Sequence, residues 1–350
     1  MRWDSPAVCQ RSLHRREHCI LRLAICAVAI AAQFAVGGLA VAGPMPPSRE
    51  RRVRFSYVTE IGPIDSNARS VKVWVPLPRD DAFQQVSAVS VSSPMPGKIV
   101  DQNHDGNRVF FAEGTAPLPR VIAVKIEFEV TRKEESVDLR KLAAAPPQPL
   151  DGRFAEYLRP DALVPTTGRI ATISANLDDS GDTPIQAARI FYEYVTSVMR
   201  YDKSGSGWGR GDAIYACDIR RGNCTDFHSL FIALARAAGI PARFTIGFPL
   251  GTPRSGEIPG YHCWAEFYAN GQWVPLDASE AWKHPDRHDY YFGNLDADRV
   301  AFTMGRDLVL NPPQDGEPLN FLVYPYVEVD GRSLSKDRVK NRFAYFDLTD

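Results

Sequence analysis

The stretch Gly222-Asn223-Cys224-Thr225-Asp226-Phe227-His228-Ser229-Leu230-Phe231-Ile232-Ala233-Leu234-Ala235-Arg236-Ala237-Ala238-Gly239-Ile240-Pro241 decides how this chain is read. Phe227, Leu230, Phe231, Leu234 and Ala238 recur at spacings of three and four, which predicts a helix from Thr225 to Ala238 with one buried face. Gly239-Ile240-Pro241 stops it. Upstream, Gly222-Asn223 permits a tight turn, and Asn223 or Thr225 caps the first amides, so Cys224 falls at or just before the first turn. A thiol is a weak nucleophile until it ionises. The partial positive charge of a helix N-terminus, helped by a neighbouring imidazolium, lowers its pKa. Cys224 is therefore placed for reactivity, against the plainer reading of a small buried residue.

Beyond this helix come a strand at Arg243 to Phe248 and a loop rich in Gly and Pro. Tyr261 to Ala269 and Gln272 to Leu276 then flank Asn270-Gly271, the strongest short hairpin signal. With a two-residue turn Ala269 faces Gln272, and counting outward sets Trp264 opposite Asp277, with His262 further along the same face. His262 and Asp277 become diagonal neighbours, about 7 to 8 Å apart at the backbone and within side-chain reach. Pro275 agrees with this register, because opposite Glu266 it occupies a non-hydrogen-bonded pair, where its missing N–H costs nothing. Cys263, Ala265, Phe267, Val274 and Leu276 form the opposite, apolar face. A lone His or Asp on a strand is usually structural. This pair beside a helix-capping cysteine makes a nucleophile, a base and an orienting acid.

Two stretches offer metal readings. Cys224, His228, His262 and Cys263 are soft-metal ligand types, but no paired C-x-x-C spacing supports a site, so the expectation is no metal and no cofactor, with His228 a polar residue on the helix flank. Asp101 to Asn107 begins like a calcium loop, yet Ala112 stands where the bidentate glutamate is needed, and the flanks read as strands; a hairpin turn is expected.

Before the nucleophile, Tyr201 to Asp212 is a glycine-rich loop, and Thr183-Pro184 opens a helix whose apolar stripe includes Ile185, Ala188, Phe191 and Val195. From residue 51 to about 135 the period is two, as in Val53, Phe55, Tyr57 and in Val124, Ile126, Phe128, Val130, which predicts an antiparallel β-sandwich-like domain. A linker is expected over 136–150, because three alanines and three prolines crowd residues 143–149. The fold class expected is α+β: an N-terminal β domain, then a catalytic domain over 151–350 ending in a β extension.

Residues 1–42 carry five arginines, an apolar run from Leu23 and Ala40-Val41-Ala42, the pattern of a cleaved export signal. Membrane attachment is expected only if that segment stays uncleaved. The expected location is periplasmic or extracellular. Cleavage removes Cys9, Cys19 and Cys26 and leaves Cys217, Cys224 and Cys263, an odd number that leaves one candidate reactive thiol; Cys217 and Cys263 either pair or stay buried. Lys and Arg total 41 against 42 Asp and Glu, and no basic stripe interleaves with aromatics, so nucleic acid is excluded as a partner.

Three ordered motifs resemble the transglutaminase-like family: Gly222 to Leu230 running on to Arg243, Tyr261-His262-Cys263-Trp264-Ala265-Glu266, and Trp273-Val274-Pro275-Leu276-Asp277. The resemblance covers about Pro184 to Asp289. It implies a papain-like core, in which a helix bearing the nucleophile lies on an antiparallel sheet, and it sets Cys224, His262 and Asp277 on the family's triad. The N-terminal β region and the tail from Pro318 to Val329 look similar to exported bacterial relatives. That favours hydrolysis of peptide or carboxamide bonds in a peptide or protein substrate, with the cell envelope as one setting. The alternatives are a protein crosslinker and a non-catalytic peptide-binding protein. By the same resemblance, Trp208 is a second oxyanion donor beside the Cys224 N–H; Tyr261 and Trp264 line the acyl groove, with a core role open for Trp264.

Overall fold

The computed structural model describes residues 50–102, 105–146, 148–177 and 183–348. The segment read as an export signal lies outside the described residues. Two five-stranded antiparallel sheets each take three strands from the first half. One is built on β1 (Glu50–Ile61), β3 (Gln84–Ser92) and β6 (Ile122–Lys133); the other on β2 (Ser70–Leu77), β4 (Gly97–Asp101) and β5 (Arg108–Thr115). Val53, Phe55 and Tyr57 of β1 and Val124, Ile126, Phe128 and Val130 of β6 are buried in alternation, as the period of two requires. Asp101 pairs with Arg108 across the β4–β5 hairpin and Ala112 is buried within β5, so the flanks of 101–107 are strands; residues 103 and 104 lie outside the described residues.

The second half carries helices α1 (Arg169–Leu177), α2 (Pro184–Val198), α3 (Ala213–Ile219), α4 (Cys224–Ala237) and α5 (Ala278–Lys283). Its four-stranded antiparallel sheet runs β9-β8-β7-β10, from β7 (Ala242–Pro249), β8 (His262–Ala269), β9 (Gln272–Leu276) and β10 (Arg299–Met304). α4 packs on β7 and β8. Every residue of α4 from Cys224 to Arg236 is buried, so the helix runs through the core and not along one flank of it.

The chain end pairs with the N-terminal sheets. β11 (Tyr326–Val329) pairs with β2, and β12 (Val339–Asp347) pairs with β1 along nine residue positions. Both N-terminal sheets are thus joined by C-terminal strands, and the described residues make one compact unit. The reason is apolar: the inner face of β1 and β6 meets the second half, with Phe55, Phe128 and Phe248 each within 6 Å of the Phe302 ring centroid. The stretch just before the prolines docks on the β8–β9 turn, where Asn270 Nδ2 donates to Leu142 O (3.0 Å).

Candidate active site

The hairpin register is the one counted from the sequence: Ala269 pairs with Gln272, Glu266 with Pro275 and Ala265 with Leu276. Asn270 and Gly271 both take positive φ, as a primed two-residue turn demands. Asp277 then leaves the strand and caps α5, its Oδ1 accepting from the Glu280 N–H and the Ser279 hydroxyl, each at 3.0 Å. Its Oδ2 lies 2.6 Å from His262 Nε2, and the same ring is hydrogen-bonded to the Cys224 thiol.

The start of α4 is a buried capping box. Asn223 Oδ1 accepts from the Thr225 N–H at 3.0 Å, and Asp226 Oδ2 accepts from the Asn223 N–H at 2.9 Å. The same carboxylate accepts from the Gly209 and Gly211 amides at 2.7 and 3.0 Å, which draws the glycine loop onto the nucleophile turn. Gly222 makes room for this, since a Cβ there would lie 2.2 Å from Asp226 Oδ2. Burial pushes the Asp226 carboxyl up, against the pull of its amide donors. Arg306 reinforces the join, donating to Ser229 Oγ at 2.6 Å and to Gly211 O at 3.0 Å.

The site is enclosed, with Cys224 1% and His262 5% exposed. Burial alone would raise the Cys224 thiol, but the neighbouring Cys263 thiol and the His262 and His228 rings hold it well below its usual range. Burial would likewise strip the proton from His262, yet Asp277 and Cys224 outweigh it and push the imidazolium up to about 10. Asp277 is held well below the usual carboxylate range, burial being overcome by His262, His228 and Arg299. The arrangement can keep a thiolate beside an imidazolium backed by a carboxylate, the chemistry of a nucleophile with a general acid–base.

The other sequence-picked residues separate. Tyr261 stands at the nucleophile turn, its hydroxyl accepting from Asn223 Nδ2 at 2.9 Å and its ring facing Phe321 and Tyr324. Trp264 is core: it is 2% exposed and clusters with Leu295 and Ala301. Trp208 spends its indole N–H on Gly205 O at 3.2 Å within its own loop, so an oxyanion role would require it to leave that bond. His228 is a buried clip with both ring nitrogens engaged. Nδ1 lies 2.7 Å from Cys224 O, and Nε2 accepts from the Ala278 N–H at 3.1 Å, which opposes a ligand role. Cys217, Cys224 and Cys263 are all free and buried, and Cys263 lies against His228 (3.6 Å) on the face covered by α4.

Sequence reading missed Arg299 and the hub at Asp226. The Asn223–Asp226 spacing of a capping box was a usable signal for Asp226. Arg299 sits 22 residues beyond Asp277 on the far edge strand, and no local pattern marks it.

Residues 171–278 match the family model described as the transglutaminase-like superfamily. An uncharacterised protein of Haemophilus influenzae is 29% identical over 350 residues, covering 88% of this chain and 95% of its own. A solved structure of a candidate cysteine protease from Cytophaga hutchinsonii superposes with a TM-score of 0.62 at 17% identity, covering 87% of this chain and 92% of that one. The fold is therefore shared along nearly the whole chain and not in the core alone. Among the described residues, no helix is long and apolar enough to cross a membrane.

Proposed function

With residues 171–278 a transglutaminase-like domain, we propose that the protein is a thiol-dependent acyl-transfer enzyme that cleaves peptide or carboxamide bonds and passes the acyl group to water. The observation that carries the proposal is the 2.6 Å contact of His262 Nε2 with Asp277 Oδ2, made beside a cysteine at the first position of a buried helix. The Cys224 thiolate attacks the carbonyl carbon, and the oxyanion forms at the helix N-terminus, where the Cys224 N–H and the helix dipole favour negative charge. His262 gives its Nδ1 proton to the departing amine, and the carbonyl re-forms as a thioester. Water then loses a proton to His262 as it attacks, and the thiolate leaves. Asp277 keeps the ring oriented and supports its positive charge throughout. Tyr261 lines the acyl approach.

The reading includes export to the periplasm or beyond, supported by the arginine-rich and apolar N-terminal segment with its Ala40-Val41-Ala42 site. The test is mass spectrometry of reactions containing peptide and amide libraries, a labelled primary amine and ¹⁸O water. Incorporation of ¹⁸O into a new carboxylate is expected. Preferential capture of the amine would make the protein a crosslinker, and no covalent or released product would make it a binding protein.

A further inference from the structure

Arg299 opens β10 and is 2% exposed. Its Nη1 donates to Asp277 Oδ2 at 2.9 Å, the same oxygen that His262 Nε2 meets at 2.6 Å. Its other edge is anchored, Nε and Nη2 donating to Asp296 Oδ1 at 3.2 and 3.1 Å. The guanidinium lies 5.0 Å from the centroid of the Trp264 ring. Held on two edges and one face, it is a rigid plane and not a mobile cation. A bulge brings the strand close: the β7–β10 register shifts between Ile246 and Gly247, and a Cβ on Gly247 would lie 1.9 Å from Val300 O. Gly247 pairs with His262 on its other side, so one glycine sets both residues within reach of Asp277.

We infer that Arg299 is a positioning residue of the reaction acting through Asp277: it fixes the oxygen that orients His262 and shares that oxygen's negative charge. The chemistry gives this sharing a purpose. A buried, unshared carboxylate at 2.6 Å would hold the imidazolium so strongly that it becomes a poor acid toward the leaving amine. A cation on the same oxygen moderates that pull. Trp264, read from the sequence as groove lining or core, is the face against which this cation is set. The inference rests on the hydrolase reading for its consequence in turnover, but not for its electrostatic content.

Other ionisable groups face the pair and must be held constant in any test. Glu280 lies 3.9 Å from His262 Nε2 and is bonded to Lys283. His228 approaches Asp277 from α4, Cys263 from β8 and Tyr192 from α2, with Tyr291 and Asp296 also facing it, while Asp226, Tyr201, Tyr261 and Tyr324 act on Cys224.

The experiment follows the His262 ring by NMR against pH in the full chain without substrate, its signal identified by loss in His262→Gln. Arg299→Gln should move the His262 titration upward by half a pH unit or more, and Asp296→Asn, which frees Arg299 for Asp277, should move it downward. Arg299→Lys keeps the charge and should stay near wild type, while its kcat falls about ten-fold at similar KM because the rigid plane is lost. Unmoved titrations with a lowered Tm would reduce Arg299 to a structural ion pair and overturn the inference. If Arg299→Gln does not fold, Asp296→Asn decides alone: a downward shift supports, no shift overturns. Opposed shifts in a protein without turnover would leave the inference standing and remove the hydrolase reading.

Discussion

Helices α2 and α4 begin with the same local device and use it differently. At α2, Thr183 and Gln186 form a capping box on the surface, and the helix buries a single stripe. At α4, Asn223 and Asp226 form the same box, but in the core, where Asp226 also gathers Gly209 and Gly211. An exposed box ends a helix and little else, since water can replace its bonds. A buried box has no such substitute, so it organises whatever donors surround it. Cys224 sits at the second kind of terminus.

The comparison breaks most visibly at Cys224. Cys224→Ala should abolish turnover while Tm stays within a few degrees of wild type, and full activity in that variant would remove the site assignment. Asp277→Asn should lower kcat by about 10²- to 10⁴-fold, because it disturbs the tautomer and hold of His262 with the nucleophile retained; an unchanged rate would exclude Asp277. Asp226→Asn should cost about 2–3 kcal/mol in denaturant unfolding, since an amide cannot accept from three N–H donors as the carboxylate does.

Next in size is the response to pH. The folded state raises His262 from 6.5 to about 10, so its stabilisation is fully present below pH 6.5 and is lost as pH climbs through about 10. Over pH 6.5 to about 9 the proton that Cys224 has already lost in the folded state offsets this, so wild-type Tm should stay near level there and fall only from about pH 9 upward, whereas in Cys224→Ala it should fall from pH 6.5; parallel curves would break the link. Because Cys224 is shifted down and His262 up, site-resolved alkylation of Cys224 by iodoacetamide should be nearly flat across roughly pH 6 to 9. A single rise near the ordinary thiol pKa would contradict the ion pair. The smallest effect belongs to the exposed box: Thr183→Ala should cost about 0.5–1 kcal/mol and leave turnover unchanged.

Local patterns made much of the site legible. The three-and-four spacing after Cys224, the Asn270-Gly271 turn and the placement of Pro275 were enough to bring His262 to Asp277, because a hairpin register propagates from its turn without further information. The helix start at residue 184 followed from its cap, and the second helix, expected from Thr225, begins one residue earlier because Asn223 is the cap. Trp264 was legible only as an aromatic near the site, since the cation against its ring comes from another strand.

What the sequence by itself determined was therefore every relation carried by neighbours along the chain: helix phase, strand alternation, turn type, and the approach of His262 to Asp277. The tertiary structure alone decided that β12 would close the sheet begun by β1, that Asp226 would collect a loop, and that Arg299 would share the oxygen that orients His262. These are contacts between segments whose separation leaves no periodic trace. They form because burying the aromatic faces of β1, β6, β7 and β10 together fixes where distant ends must lie, and the buried charges at those ends then have to meet partners or remain unpaired.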